Sequence, residues 1–309
     1  MRLHRRQAIL GALTGSGAAG TGLLAAPALA FAAVAATPAV AAGLPSRRPY
    51  TLPRAEEWAF TARSGRRYRV LFSWPAGEVP EHGWPVLYAL DGNAMFDVLT
   101  GANRFLPDDG QGVIVAIDFP LDEAEPDRRD FEYTLPSGEA PGRHGGADAL
   151  LDVIEAELKP AIAGAVRLAP ARQSLFGHSY GGLFTLHAMF TRPGGFSTYL
   201  AASPSIWWGG GVLLREADAF AALPPPGAPA PRLQMTFGEL EGRPRPDAPR
   251  PPPGGPRRMM GDNVRQLAAR LGKLEGRFAD LEVREFPGET HGSVRAAAAG
   301  RAVPFAFQG

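Results

Sequence analysis

A serine set between glycines, in Gly177-His178-Ser179-Tyr180-Gly181, is the sharpest chemical signal in the chain. A serine hydroxyl attacks poorly until a base takes its proton and a third group orients that base. The apolar run Ser174-Leu175-Phe176 before it reads as the end of a strand, and the amphipathic residues 183–190 after it read as a helix. Strand, tight turn and helix are the surroundings of a nucleophile elbow, which holds the hydroxyl exposed on a strained turn. Gly177 and Gly181 let strand and helix approach with no Cβ between them. The helix start also aims N–H groups at the point where an oxyanion would develop. With 38 glycines the five-residue pattern can arise by chance, so its strand–turn–helix setting is what favours catalysis.

A base and an acid must complete such a site. Of the histidines beyond residue 42, His82, His144 and His187 fall away from the ends of the late strands. His178 neighbours the serine and is expected to point elsewhere. His291 alone follows the last predicted strand, giving the chain order serine, acid, histidine of α/β-hydrolases. The acid belongs after the preceding strand, which offers Glu239 or Glu241. Glu241 is favoured because it falls a few residues beyond the strand-ending Gly238, and the other glutamate is then a surface carboxylate. Two backbone donors are expected at the oxyanion: the N–H of Tyr180, and the N–H of Asn93 in Asp91-Gly92-Asn93 after an early strand. Asp91 is expected to tie down that loop.

The elements that must position these groups follow from periodicity. Residues 57–62 and 67–74 predict a hairpin around Ser64-Gly65, and 84–90, 112–118, 197–202, 232–238 and 281–286 predict further strands. Helices are expected at 146–160, 183–190, 210–222 and 263–274, with an Ala-rich one after His291. Residues 43–54 read as an extended arm and 119–146 as a long polar loop. Residues 242–258 are a low-complexity insert of Gly, Pro and Arg. Strands alternating with helices imply an α/β fold with a mostly parallel, doubly wound sheet.

The first 42 residues differ from the rest. Arg5-Arg6 precede a run of Ala, Gly and Leu with small-residue sites at Ala28-Leu29-Ala30 and Ala39-Val40-Ala41, which describes an export signal of twin-arginine type. A retained membrane anchor fits less well, because Gly11, Gly15, Gly17 and Gly20 weaken the apolar run. Without that segment the 32 basic side chains fall to 29 against 31 acidic ones, a net charge of −2. Nothing in that balance predicts nucleic-acid binding. The absence of cysteine excludes disulfides, a thiol nucleophile and thiolate zinc sites, and no metal or cofactor is expected. Residues 43–309 suit one large α/β domain, placed in the periplasm or secreted.

Five motifs together resemble the Putative esterase family of α/β-hydrolases: Asp91-Gly92-Asn93, Gly177 to Gly182, Ser203-Pro204-Ser205-Ile206-Trp207-Trp208, Gly238-Glu239-Leu240-Glu241 and Gly288-Glu289-Thr290-His291-Gly292-Ser293. That family includes esterase D relatives, mycolyl transferases and siderophore trilactone esterases. Residues 145–160 are similar to the corresponding helix of the enterobactin and salmochelin hydrolases. The resemblance runs from about residue 54 to 305. It implies Ser179 and His291 as the catalytic pair, with Asn93 and Tyr180 as oxyanion donors. Members of the siderophore group differ in their dependence on an acid, so Glu241 is the role left most open. The expected activity is hydrolysis of a carboxylic ester through an acyl-enzyme, with a siderophore trilactone as substrate. An acyltransferase, a short-chain carboxylesterase and a catalytically silent binding module are the alternatives. Trp207 and Trp208 are candidates for an aromatic wall of the substrate pocket. Arg257 and Arg258 in the insert are candidates for contacts to an anionic ferric siderophore, with a solvated loop as the alternative.

Overall fold

In the computed structural model the described residues are 48–123, 128–136, 142–224, 229–242 and 259–308. The expected leader at 1–42, Arg257, Arg258 and all of the insert but Gly242 lie outside them. The strands are β1 (Ala55–Thr61), β2 (Arg67–Ser73), β3 (Trp84–Ala89), β4 (Val113–Asp118), β5 (Leu168–His178), β6 (Thr198–Ala202), β7 (Arg232–Gly238) and β8 (Asp280–Phe286). The helices are α1 (Gly92–Arg104), α2 (Arg128–Glu132), α3 (Ala147–Val153), α4 (Lys159–Ala165), α5 (Tyr180–Thr191), α6 (Val212–Ala222), α7 (Met260–Leu271) and α8 (Val294–Phe307).

The strands form one sheet in the order β1-β2-β4-β3-β5-β6-β7-β8. β2 runs antiparallel to both β1 and β4, and every later pairing is parallel. Period-2 alternation explains why the central strands are apolar throughout, since each of their faces is covered. Val86, Tyr88, Val113, Val115, Leu175, Tyr199 and Leu233 face a core closed by Leu150, Ile154, Leu183, Leu213, Phe220 and Val264. Their neighbours Leu87, Ala89, Ile114, Ala116, Phe176 and Leu200 face a second core, closed by Met95 and Leu99 of α1 and by Ala299 and Val303 of α8. The mostly parallel, doubly wound α/β sheet expected from the alternation of strands and helices is the observed architecture.

Three elements depart from expectation. α1 was not anticipated, although Met95, Phe96, Leu99 and Asn103 bury one face of it at helical spacing. Gly92 starts it flush against β4, where a Cβ would lie 2.8 Å from the Ala116 carbonyl carbon. α2 interrupts the segment expected as loop and becomes part of the site. The helix expected to stop at Pro160 continues to Ala165. A π turn at Ile154–Leu158 joins α3 to α4 just before that proline, loosening the backbone register where proline removes a donor and crowds the preceding turn.

Candidate active site

Ser179 stands between β5 and α5 with φ 61° and ψ −114°, a conformation that non-glycine residues adopt only when neighbours impose it. The neighbours are identifiable. Ser179 N–H donates to the Ala202 carbonyl at 2.9 Å, and its own carbonyl accepts from Leu183 N–H at 3.0 Å and Ser205 N–H at 3.1 Å. Gly177 is required by close approach, since a Cβ there would lie 2.1 Å from the Gly181 carbonyl oxygen. At Gly182 a Cβ would lie 2.8 Å from the Ala202 carbonyl oxygen.

The loop between β8 and α8 brings His291 to the serine. Its Nε2 is 3.0 Å from Ser179 Oγ and its Nδ1 is 2.8 Å from Glu241 Oε2. The Glu241 side chain is fully buried, whereas 44% of the His291 side chain is exposed. Glu241 Oε1 accepts from Ser203 Oγ at 2.5 Å and from Gly238 N–H at 2.6 Å, so its two oxygens bond three different partners. Glu239, the alternative acid, instead accepts the Gly288 N–H at 3.0 Å and braces the backbone of the histidine loop.

On the other flank, Asp91 takes a left-handed conformation (φ 57°) and accepts both Nε (2.5 Å) and Nη2 (2.9 Å) of Arg129. The Asp91 pair outweighs the burial that disfavours the Arg129 charge and raises that guanidinium's pKa above its ordinary value. Asp91 therefore anchors its loop to α2, as expected of it. The Asn93 N–H is already engaged, donating to Asp118 Oδ2 at 2.7 Å at the end of β4. Burial, reinforced by the charge of Asp91, pushes the Asp118 carboxyl up from the usual range. Tyr180 opens α5, and its ring meets Trp208 edge-on at 5.3 Å and Trp207 at 6.4 Å. The two tryptophans divide: Trp208 is buried behind Tyr180 and His144, while Trp207 is only partly covered. Trp208 is thus a backing residue rather than an exposed wall, because its ring is buried among its neighbours.

His178 corrects an expectation. Its ring does not turn away but lies 4.7 Å from the His291 ring, with Nε2 3.0 Å from the His291 carbonyl oxygen. Burial, aided by the nearby charges of His291 and Arg129, lowers its pKa to about 3, so it is neutral and donates that bond. Arg129, Asp118, Ser203 and His178 are the site neighbours that sequence reasoning missed. No local motif marks Arg129 and Asp118, which arrive by α2 and by strand register, and Ser203 stands in a motif whose pattern does not reveal its bond to Glu241. His178 was visible inside the five-residue motif but is aimed by the elbow's backbone. Among the described residues no group of His, Cys, Asp and Glu could hold a metal ion.

A strained serine at a strand–helix turn, bonded to a histidine that is bonded in turn to a buried glutamate, defines the serine hydrolases of α/β-hydrolase type. The model of the family described as Putative esterase matches residues 61–229, and the chain belongs to that family and is a carboxylic ester hydrolase. It is 39% identical over 214 residues to the siderophore triacetylfusarinine C esterase of Aspergillus fumigatus, covering 63% of this chain and 71% of that protein. It is 34% identical over 269 residues to the siderophore enterobactin esterase of Emericella nidulans, covering 77% of this chain and 88% of the relative. Among solved structures, a siderophore hydrolase from Aspergillus nidulans matches with a TM-score of 0.73 and 35% identity over 84% of this chain and 98% of its own.

Proposed function

We propose that the protein is an exported serine esterase of siderophore trilactones, with Ser179 as nucleophile, His291 as general base and Glu241 as the acid that orients it. The observation that carries this reading is the His291 ring, bonded through one nitrogen to Ser179 and through the other to a buried carboxylate. Ser179 Oγ attacks the ester carbonyl while His291 Nε2 takes its proton, and Glu241 stabilises the resulting imidazolium. The tetrahedral oxyanion is met by Tyr180 N–H and by Asn93 N–H once Asp118 releases it. His291 then returns the proton to the leaving alcohol, and a water deprotonated by the same ring hydrolyses the acyl-enzyme.

Two relatives named for different siderophores support a siderophore ester as substrate class. The partly exposed Trp207, beside Tyr180 and the Arg129 guanidinium that lies 5.8 Å over the Tyr180 ring, supplies an aromatic and cationic flank for it. A separate cavity of about 750 Å³, lined in part by Arg66, Arg67, Arg128 and Arg143, is a weaker place for an anion. Glu123 and Glu132 already answer Arg66, Arg67 and Arg128 there. Export rests on the basic and small-residue pattern of the first 42 residues. No described helix is long and apolar enough to cross a membrane.

The test is a hydrolysis panel of simple aryl esters against apo and ferric trilactones, run with and without an acceptor alcohol, on the wild type and Ser179→Ala. Preferred trilactone cleavage, lost by about 10⁶-fold in the variant, is expected. Comparable turnover in Ser179→Ala would sink the nucleophile assignment, and ester products in place of acids would make the enzyme a transferase.

A further inference from the structure

We infer that His178 is a positioning residue for His291, acting through its hydrogen bond to the backbone of the histidine loop; this rests on the Ser179–His291 reading above. His291 needs such help, because its ring is nearly half exposed and sits in a connection of seven residues between β8 and α8. Glu241 and Ser179 fix the ring at its two nitrogens. Those bonds orient the imidazole about its own axis but leave the loop's backbone to be held separately. Glu239 accepts the Gly288 N–H at one end of the loop, and Thr290 and Ser293 exchange bonds within it. The His178 Nε2–H reaches the carbonyl of His291 itself at 3.0 Å.

His178 is well suited to carry that bond. It is the last residue of β5, the strand that also delivers Ser179, so one backbone sets both the nucleophile and the tether of its base. Its side chain is buried and its own carbonyl accepts from Arg129 Nη2 at 3.3 Å, which ties the strand end to the Asp91 loop. The charged groups that bear on it are His291, Arg129 and Arg295, all cationic or able to become so. Burial first, and these charges after it, keep His178 neutral while His291 gains a proton during turnover. A neutral ring donates from one nitrogen only, and the geometry commits that donor to the carbonyl. The bond reaches the backbone and not the His291 imidazole, whose two nitrogens already meet Glu241 and Ser179.

The experiment compares His178→Gln, whose amide can donate from a similar reach, with His178→Met, which keeps bulk and loses the donor. In the full chain, kcat for an aryl ester should fall by about 10²-fold in the Met variant, the cost of a misplacement on the 1 Å scale, with KM moved by only a few-fold. Fluorophosphonate labelling of Ser179 should slow in parallel. The Gln variant should recover most of kcat with the wild-type pH profile. Equal rates for Met and wild type, or equal losses in Met and Gln, would overturn the inference. If the Met variant does not fold, a folded but crippled Gln variant overturns it alone. Labelling of the wild type but not of Ser179→Ala checks the underlying assignment independently.

Discussion

Glu241 and Glu239 sit two residues apart and touch different parts of the same loop. One meets the histidine ring and the other the Gly288 N–H, so their removal should have unlike effects. Glu241→Gln should lower kcat by up to about 10⁴-fold through the wrong tautomer, whereas Glu239→Gln should act mainly on thermal stability. Steady-state kinetics on both variants decide it, and a reversed order would exchange their roles. Asp118 poses the opposite question, because its carboxylate holds the Asn93 N–H proposed above as an oxyanion donor. A bond to a charged acceptor outweighs one to a neutral acceptor by about 1 kcal/mol, so Asp118→Asn should accelerate acylation roughly fivefold. Slower labelling in that variant would mean that Asp118 is needed to hold the Asn93 loop in place.

At the scale of elements, the elbow is the least tolerant part. Gly177→Ala places a methyl against backbone rather than against a flexible side chain, so the strand and α5 must separate. The melting temperature should drop by the equivalent of at least about 1–3 kcal/mol, and fluorophosphonate labelling should be lost with it. An active, equally stable variant would mean that the turn is softer than its backbone implies. The elbow was legible in the sequence because strand, glycines and helix are contiguous there. The buried strands were legible because residues such as those of β3 and β4 are apolar on both faces. α1 is masked in the sequence because Asp91-Gly92-Asn93 reads as a functional loop, although the burial of Met95, Phe96 and Leu99 follows helical spacing. The extension through Pro160 was hidden for a different reason: proline normally ends a helix, and only a π turn of particular width lets the chain run on. Contacts such as Asp118 with Asn93 depend on the β3–β4 register, which no local pattern encodes.

Across the whole molecule, two buried histidines titrate in opposite directions. His187 on α5 lies between Glu216 of α6 (2.9 Å) and Asp148 of α3 (3.3 Å). Burial disfavours its charge, but the two carboxylates prevail and raise its pKa above the ordinary value. Its contribution to stability is therefore complete below the unfolded pKa of about 6.5 and fades as pH rises through the higher folded value. His178, lowered to about 3, works the other way and costs stability as pH falls below about 6.5. The gap in melting temperature between wild type and His187→Gln should thus be wider at pH 6 than at pH 9. A gap that widens with rising pH would show that His187 is held neutral.

The partners of His291 lie far apart along the chain, 112 residues back to Ser179 and 50 back to Glu241. β8 occupies the edge of the sheet, beyond β7, and the histidine loop leaves directly from its end. A growing chain therefore carries the proposed nucleophile long before it possesses the proposed base able to waken it. On that reading reactivity is a seal set only when the final strand docks. In refolding followed by both labelling and hydrogen exchange, Ser179 should turn reactive after β8 becomes protected and never before it.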